Sequence, residues 1–285
     1  MRAAAIQLNS TADVAGNVEA AERLVRAAAR DGAELVVLPE KWSVLAAGET
    51  MAELAEPLDG PVVGAARGWA RELGIHLLAG SIAERVPGRD LLSNTSLLIE
   101  PGGDIAATYR KIHMFDVDVG GVAYRESAHE LPGDRIVAAP VGDEGLVLGL
   151  TVCYDLRFPE LFRILALSGA GAISVPSAFT AVTGRDHWEV LLRARAIENQ
   201  LYVIAAGQVG EAPPHYDSWG HSMVVGPWGD VLDVVAEGEG HAIAELDLGE
   251  LASVRERVPS LANRRADAYR WPDGEPGTSG GLGHG

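Results

Sequence analysis

Gly149-Leu150-Thr151-Val152-Cys153-Tyr154-Asp155-Leu156-Arg157-Phe158-Pro159-Glu160 is the stretch that decides how the chain reads. Leu146 to Val152 are mostly apolar and read as a buried strand. The run stops at Cys153, the only cysteine in 285 residues. Turn-compatible residues follow, and a helical pattern begins near Pro159. A cysteine at the C-terminal end of a strand, just before a helix, is well placed for a nucleophile. Its side chain clears the sheet edge there, and nearby backbone N–H groups can face developing negative charge. The same stretch also fits a buried core cysteine, which is common.

Outward from this strand, the pattern is one of alternating strands and helices. Arg2–Leu8 reads as a strand and Asn17–Arg30 as a helix, with Val18, Ala21, Leu24, Val25 and Ala28 at helical spacing. Leu35-Val36-Val37-Leu38 is a continuous apolar strand stopped by Pro39, so Glu40 also falls at a strand's C-terminal end. A helix from Pro61 to Leu73 ends at Gly74, and Ile75–Gly80 is the next strand. Leu92–Glu100 and Ile105–Tyr109 flank Pro101-Gly102-Gly103-Asp104 as a β-hairpin, with Lys111 just beyond it. The segment from Ile112 to Pro132 lacks clear periodicity and reads as a long ordered, functional loop.

The second half repeats the alternation. Glu160–Leu167 is helical and Ala172–Val175 is a strand. Thr183 is expected to cap the next helix, with Asp186 in its first turn. Leu201–Ala206 is a strand, Ser222–Val225 and Val231–Val235 form a hairpin, and Ala242–Leu246 and Leu248–Val258 close the fold. No internal repeat or linker divides the chain. The expectation is one α/β domain over residues 1–271 with a mixed sheet or two stacked sheets. Residues 272–285 are Gly-rich and read as a flexible tail.

Composition narrows the function. With 47% hydrophobic and 22% charged residues, the chain can build a large core. No apolar run approaches the about 18 residues of a membrane helix, and the N-terminus does not read as a signal peptide. The formal charge of −17 repels nucleic acid and anionic membranes, which argues against both as partners. A single cysteine excludes an internal disulfide and suits a reducing, cytoplasmic setting. The eight histidines show no metal-ligand spacing, and no Gly-rich phosphate loop follows a strand. Neither a metal nor a cofactor is expected.

Glu40, Lys111 and Cys153 all fall at strand ends. A thiol of ordinary pKa is only a few per cent ionised at neutral pH. A nearby ammonium lowers that pKa, and a nearby carboxylate can take the proton and pass it to a leaving amine. Lys111 and the Tyr154 backbone N–H can hold the oxyanion of a tetrahedral intermediate. Such a set suits acyl transfer from an amide or nitrile. Taken singly, Glu40 and Lys111 also fit solvated or ion-paired residues. Phe179, Thr180 and Thr183 follow the strand beside the nucleophile strand, where they are expected to line the pocket. Arg157 is expected to pair with a structural acid such as Glu160, with a substrate carboxylate as the alternative. Lys41 follows Glu40 directly, and a side chain one residue on points elsewhere in a strand.

Leu38-Pro39-Glu40, Tyr109-Arg110-Lys111-Ile112-His113 and Cys153-Tyr154-Asp155-Leu156-Arg157-Phe158-Pro159-Glu160 resemble the three signature blocks of the nitrilase (carbon–nitrogen hydrolase) superfamily, in its order. The similarity continues through Pro176-Ser177-Ala178-Phe179, His187-Trp188-Glu189, Arg193–Gln200 and Gly220–Val225, and covers roughly residues 2–270. These blocks look most like the Nit-type amidase branch, with its omega-amidases and deaminated-glutathione amidases. The resemblance implies a four-layer αββα sandwich of two mixed sheets with outer helices, dimerising through a helical face. It implies Glu40 as general base, Lys111 as oxyanion stabiliser and Cys153 as a thioester-forming nucleophile. It also matches the family's second glutamate to Glu126. The implied reaction is hydrolysis of a non-peptide C–N bond in a small carboxylate-bearing amide. An N-carbamoyl amide or a nitrile is the alternative substrate, and a silent binding protein of the same fold the alternative class. Val119-Gly120-Gly121 replaces the Pro-Gly of many relatives, which bears on pocket size.

Overall fold

The computed structural model describes residues 1–212 and 216–268. The first half runs β1 (Arg2–Gln7), α1 (Val14–Arg30), β2 (Leu35–Val37), α2 (Gly48–Leu54), α3 (Pro61–Leu73), β3 (His76–Leu78), β4 (Ile82–Glu84), β5 (Ser93–Ile99) and β6 (Ile105–Arg110). A middle segment holds β7 (Asp116–Val119) and β8 (Val122–Arg125). The second half runs β9 (Ala138–Val141), β10 (Leu146–Leu150), α4 (Pro159–Leu167), β11 (Ala172–Ser174), α5 (Ala181–Asn199) and β12 (Tyr202–Ala205). It closes with β13 (Val209–Ala212), β14 (Tyr216–Trp219), β15 (Met223–Val225), β16 (Val231–Val234), β17 (Gly240–Glu245) and α6 (Leu248–Arg257).

Two mixed sheets result. One has the order β17-β1-β2-β3-β5-β4, with β6 also paired to β5; the other has the order β16-β15-β12-β11-β10-β9. In each, three central strands are parallel: β1, β2 and β3 in the first, β10, β11 and β12 in the second. Parallel strands need cover on both faces, which is why Leu35-Val36-Val37 and Val203-Ile204-Ala205 are apolar throughout.

Strand alternation assigns each side chain to a layer. Ala3, Ala5, Leu35 and Val37 point between the sheets and join Leu148, Leu150 and Ile204 in one core. Ala4, Ile6 and Val36 point outward and meet Leu24 and Val25 of α1 and Val63, Ala66 and Trp69 of α3. Leu161, Phe162 and Leu165 of α4 and Trp188 and Leu192 of α5 cover the outer face of the second sheet. The layers are therefore helix, sheet, sheet, helix, the four-layer αββα sandwich.

Three local expectations are corrected. Residues 112–132 hold the β7–β8 hairpin and a 3-10 turn, Glu126–Ala128. Gly120 and Gly121, at φ 60° and 79°, make its two-residue turn, which needs left-handed backbone at both positions. Helix α5 starts at Ala181, so Thr183 lies in its first turn and Asp186 lies beyond it. Thr180 takes the cap position but gives no capping bond; its hydroxyl is 2.9 Å from that of Thr183. Short elements α2, β4, β9 and the β13–β14 hairpin were not anticipated. The segment 272–285 lies outside the described residues.

Candidate active site

The strand ends bring the three blocks together at one cleft of about 340 Å³. Glu40, Lys111, Glu126, Cys153, Tyr154, Phe179, Thr180 and Thr183 all line it. Every site residue named from the sequence thus reaches one place. Glu40 and Lys111 come from the first sheet and Cys153 from the second, so the cleft opens at the seam between the sheets.

Glu40 sits in the turn after β2. The turn is tight because Gly80 packs against it: a Cβ there would lie 1.9 Å from the Pro39 carbonyl oxygen. Glu40 Oε1 accepts from Lys111 Nζ at 3.0 Å and from Asn94 Nδ2 at 2.8 Å. Its Oε2 accepts from the Ala178 N–H at 2.8 Å. All three bonds fix the direction of the carboxyl group.

Lys111 leaves the end of β6, where its N–H donates to the Asn94 carbonyl. Its ammonium also donates to both Glu126 oxygens, at 2.9 and 2.8 Å. Burial opposes its charge, but Glu126 and Glu40 outweigh burial and raise its pKa well above the usual lysine value. Lys111 is therefore a fixed cation and not a base. Burial likewise opposes the charge of Glu126, and Lys111 and Lys41 hold it well below the usual carboxylate range. The Phe115 N–H donates a further bond to Glu126 Oε2 at 2.7 Å.

Cys153 opens a one-turn 3-10 helix, Cys153–Arg157, with its own backbone left-handed at φ 48°. Non-glycine residues seldom adopt this conformation. Here it swings the thiol off the strand, and the Cys153 N–H is anchored on the Pro176 carbonyl at 2.8 Å. Burial pushes the thiol up, Glu40 pushes it further, and Lys111 only partly offsets them. The resting sulfur is a neutral thiol beside the Glu40 side chain. The Tyr154 N–H lies at the start of the 3-10 turn, where helical N–H groups have no partner within the helix.

Asp155 ties the lysine and cysteine blocks together, a role the sequence did not reveal. It is fully buried and accepts from the Tyr109 hydroxyl at 2.7 Å, the Val152 N–H at 2.8 Å and the His113 N–H at 3.2 Å. The His113 ring also lies 2.7 Å from it and stacks on Phe158. Asp155→Ala would strand several buried donors at about 1–3 kcal/mol each. A net loss of about 3 kcal/mol is expected, lowering Tm by roughly 6–12 °C. Calorimetry of the variant tests this; an unchanged Tm would remove Asp155 from the scaffold.

Two other placements, those of Arg157 and Lys41, differ from expectation. Arg157 lies over the Phe179 ring, 5.2 Å from its centroid, with Nη1 3.3 Å from His187 Nδ1, rather than toward Glu160. Phe179 lines the cleft and also packs on Trp188. Arg195 and Arg193 are structural, donating to the Leu156 and Gly229 carbonyls. Lys41 does not point away. Its φ of 53° breaks the strand alternation and turns the side chain into the cleft beside Glu126 and Glu130. Among the described residues no group of three or more side chains is arranged to hold a metal ion.

Comparison with known proteins agrees with this architecture. The family model described as carbon-nitrogen hydrolase matches residues 2–256. The Homo sapiens protein named deaminated glutathione amidase is 42% identical over 289 residues, covering 99% of this chain and 84% of that one. Omega-amidase NIT2 of Pongo abelii is 38% identical, covering 94% and 96%. Among solved structures, the C. elegans NitFhit protein superposes with a TM-score of 0.85 at 37% identity, covering 94% of this chain; the chain spans 66% of that longer one. The chain belongs to the carbon–nitrogen hydrolase family, in its Nit-type branch. It is an amidase, acting on C–N bonds other than peptide bonds.

Proposed function

We propose that the cleft hydrolyses a small carboxylate-bearing amide through a Cys153 thioester. The observation that carries this is the contact set at one point: a buried carboxylate, Glu40, hydrogen-bonded to a buried ammonium, Lys111, beside the only thiol. Glu40 takes the Cys153 proton as Sγ attacks the amide carbon. Lys111 and the Tyr154 N–H hold the oxyanion, and Glu126 keeps Lys111 in place. The tetrahedral intermediate collapses, the C–N bond breaks, and Glu40 returns the proton to the leaving ammonia or amine. A water molecule, deprotonated by Glu40, then attacks the thioester. The carboxylic acid leaves and the thiol is restored.

The names of the relatives point to deaminated glutathione or the omega-amide of a 2-oxo acid as substrate. Thr180, Thr183 and Tyr216 offer hydroxyls in the cleft, and Arg125 at its rim, bonded to the Val117 and Tyr124 carbonyls and to the exposed Asp118, can exchange that exposed ion pair for a substrate carboxylate. The test is mass spectrometry of intact protein mixed with each of the two compounds, with ammonia and amine release followed in parallel. A Cys153-linked acyl adduct with release from one compound is expected. No adduct and no release from either would reject this substrate class.

The protein acts as a homodimer on this reading. Ile164 and Leu167 of α4 and Val190 and Ile197 of α5 are exposed apolar residues on the helical layer over the second sheet, which supports an interface there. Sedimentation velocity giving a monomer at micromolar concentration would reject the dimer. No helix among the described residues is long and apolar enough to cross a membrane. The lone thiol suits a reducing compartment, and we place the enzyme in the cytoplasm, which cell fractionation tests.

A further inference from the structure

Lys41 and Glu130 are charged, buried and part of the cleft wall, yet the chemistry above leaves both unused. Lys41 Nζ lies 2.5 Å from Glu130 Oε1 and 3.5 Å from Glu126 Oε1. Glu126 and Glu130 lie on one turn, with the Glu130 N–H donating to the Glu126 carbonyl. Both carboxylates thus face the same ammonium. A side chain pays for such burial only when its charge is matched nearby, and Lys41 reaches this place through a left-handed backbone that other residues avoid. The charges alternate along one continuous line: Glu40, Lys111, Glu126, Lys41, Glu130.

We propose that Lys41 is a positioning residue: its ammonium, held by Glu130, fixes the Glu126 carboxylate against Lys111 and, through Lys111, the placement of Glu40 beside Cys153. This rests on the reading of that cluster as the catalytic machinery. The groups facing Lys41 are Glu40 from its own turn, Lys111 from the end of β6, Glu126 from the 3-10 turn and Glu130 just after it. Glu126 also faces Asp116 at the start of β7. Burial pushes the Glu130 carboxyl up to about 7, against the pull of Lys41 and with the help of Glu126. Below that pH Glu130 carries a proton, and the Lys41 charge acts undiluted on Glu126 and Glu40.

The test reads thiol activation directly and needs no substrate. Iodoacetamide is the probe, and the rate of Cys153 alkylation is followed by mass spectrometry of the full-length protein from pH 5 to 9. Lys41→Met/Glu130→Gln removes both members of the pair and so leaves no unmatched buried charge. At the acid limb Glu130 is already protonated, so the double variant subtracts only the ammonium. Its acid limb is expected about one unit higher, with alkylation on that limb about tenfold slower. Glu130→Gln alone is expected to keep the wild-type acid limb. A double variant whose profile superposes on wild type would overturn the inference and leave a purely structural pair. So would a displaced acid limb in Glu130→Gln, which also serves if the double variant does not fold. Glu40→Gln is the control: if it alkylates at the wild-type rate, the catalytic reading itself fails, and this inference with it.

Discussion

Cys153→Ala is expected to lower amide turnover by about four orders of magnitude or more while leaving the fold intact. The substitution keeps Cβ and removes only the sulfur, so the left-handed turn and the Pro176 anchor survive. No second thiol exists to take over. The remaining Lys111 ammonium and Tyr154 N–H can still bind a carbonyl oxygen, but nothing forms the acyl bond. The measurement pairs steady-state hydrolysis with thermal unfolding: turnover lost and Tm within a few degrees. A variant that retains turnover within a hundredfold of wild type would place the nucleophile elsewhere.

Lys111→Met should be the more damaging change, because it strikes rate and stability together. Loss of one oxyanion donor costs about 10²–10³ in kcat. The same change leaves Glu40 and Glu126 buried without their shared cation, an effect of about 3–5 kcal/mol. The pH dependence separates the two states. In wild type, Glu126 is held well below its ordinary 4.5, so its contribution to stability is present above that pH and is lost on acidification. In the variant the stranded carboxylates favour their protonated forms, so their penalty shrinks as pH falls. The gap in Tm between wild type and variant should therefore narrow from pH 7 to pH 4. A gap that stays constant would show that Lys111 does not neutralise the two carboxylates.

What could be read in advance divides along physical lines. The parallel strands were legible because burial on both faces forces unbroken apolar runs, as in Leu35–Val37 and Leu146–Leu150. Glu40 and Cys153 stand where such runs stop and Lys111 where a hairpin strand ends, but their roles were legible only through the resemblance of the three blocks taken together. The β7–β8 hairpin has its own signal in the sequence: Asp-Val alternation over residues 116–119, then Gly120-Gly121, then Val122-Ala123-Tyr124. Lys41 and Asp155 were not legible. Strand alternation sends the neighbour of Glu40 the other way, and only a backbone at φ 53° reverses it. Asp155 works by joining residues 42 and 46 positions away, and no local spacing records such contacts.

The neutral thiol of the resting site has a consequence beyond amide chemistry. Peroxides oxidise thiolates far more readily than thiols, and a thiol once converted to sulfenic acid is rescued most directly by a neighbouring cysteine. This chain has no second cysteine to form that bond. By holding Cys153 protonated under burial and Glu40 until a carbonyl arrives, the site presents little to an oxidant. The arrangement that delays nucleophilicity until the substrate is bound is thus also what keeps an irreplaceable sulfur reduced between turnovers.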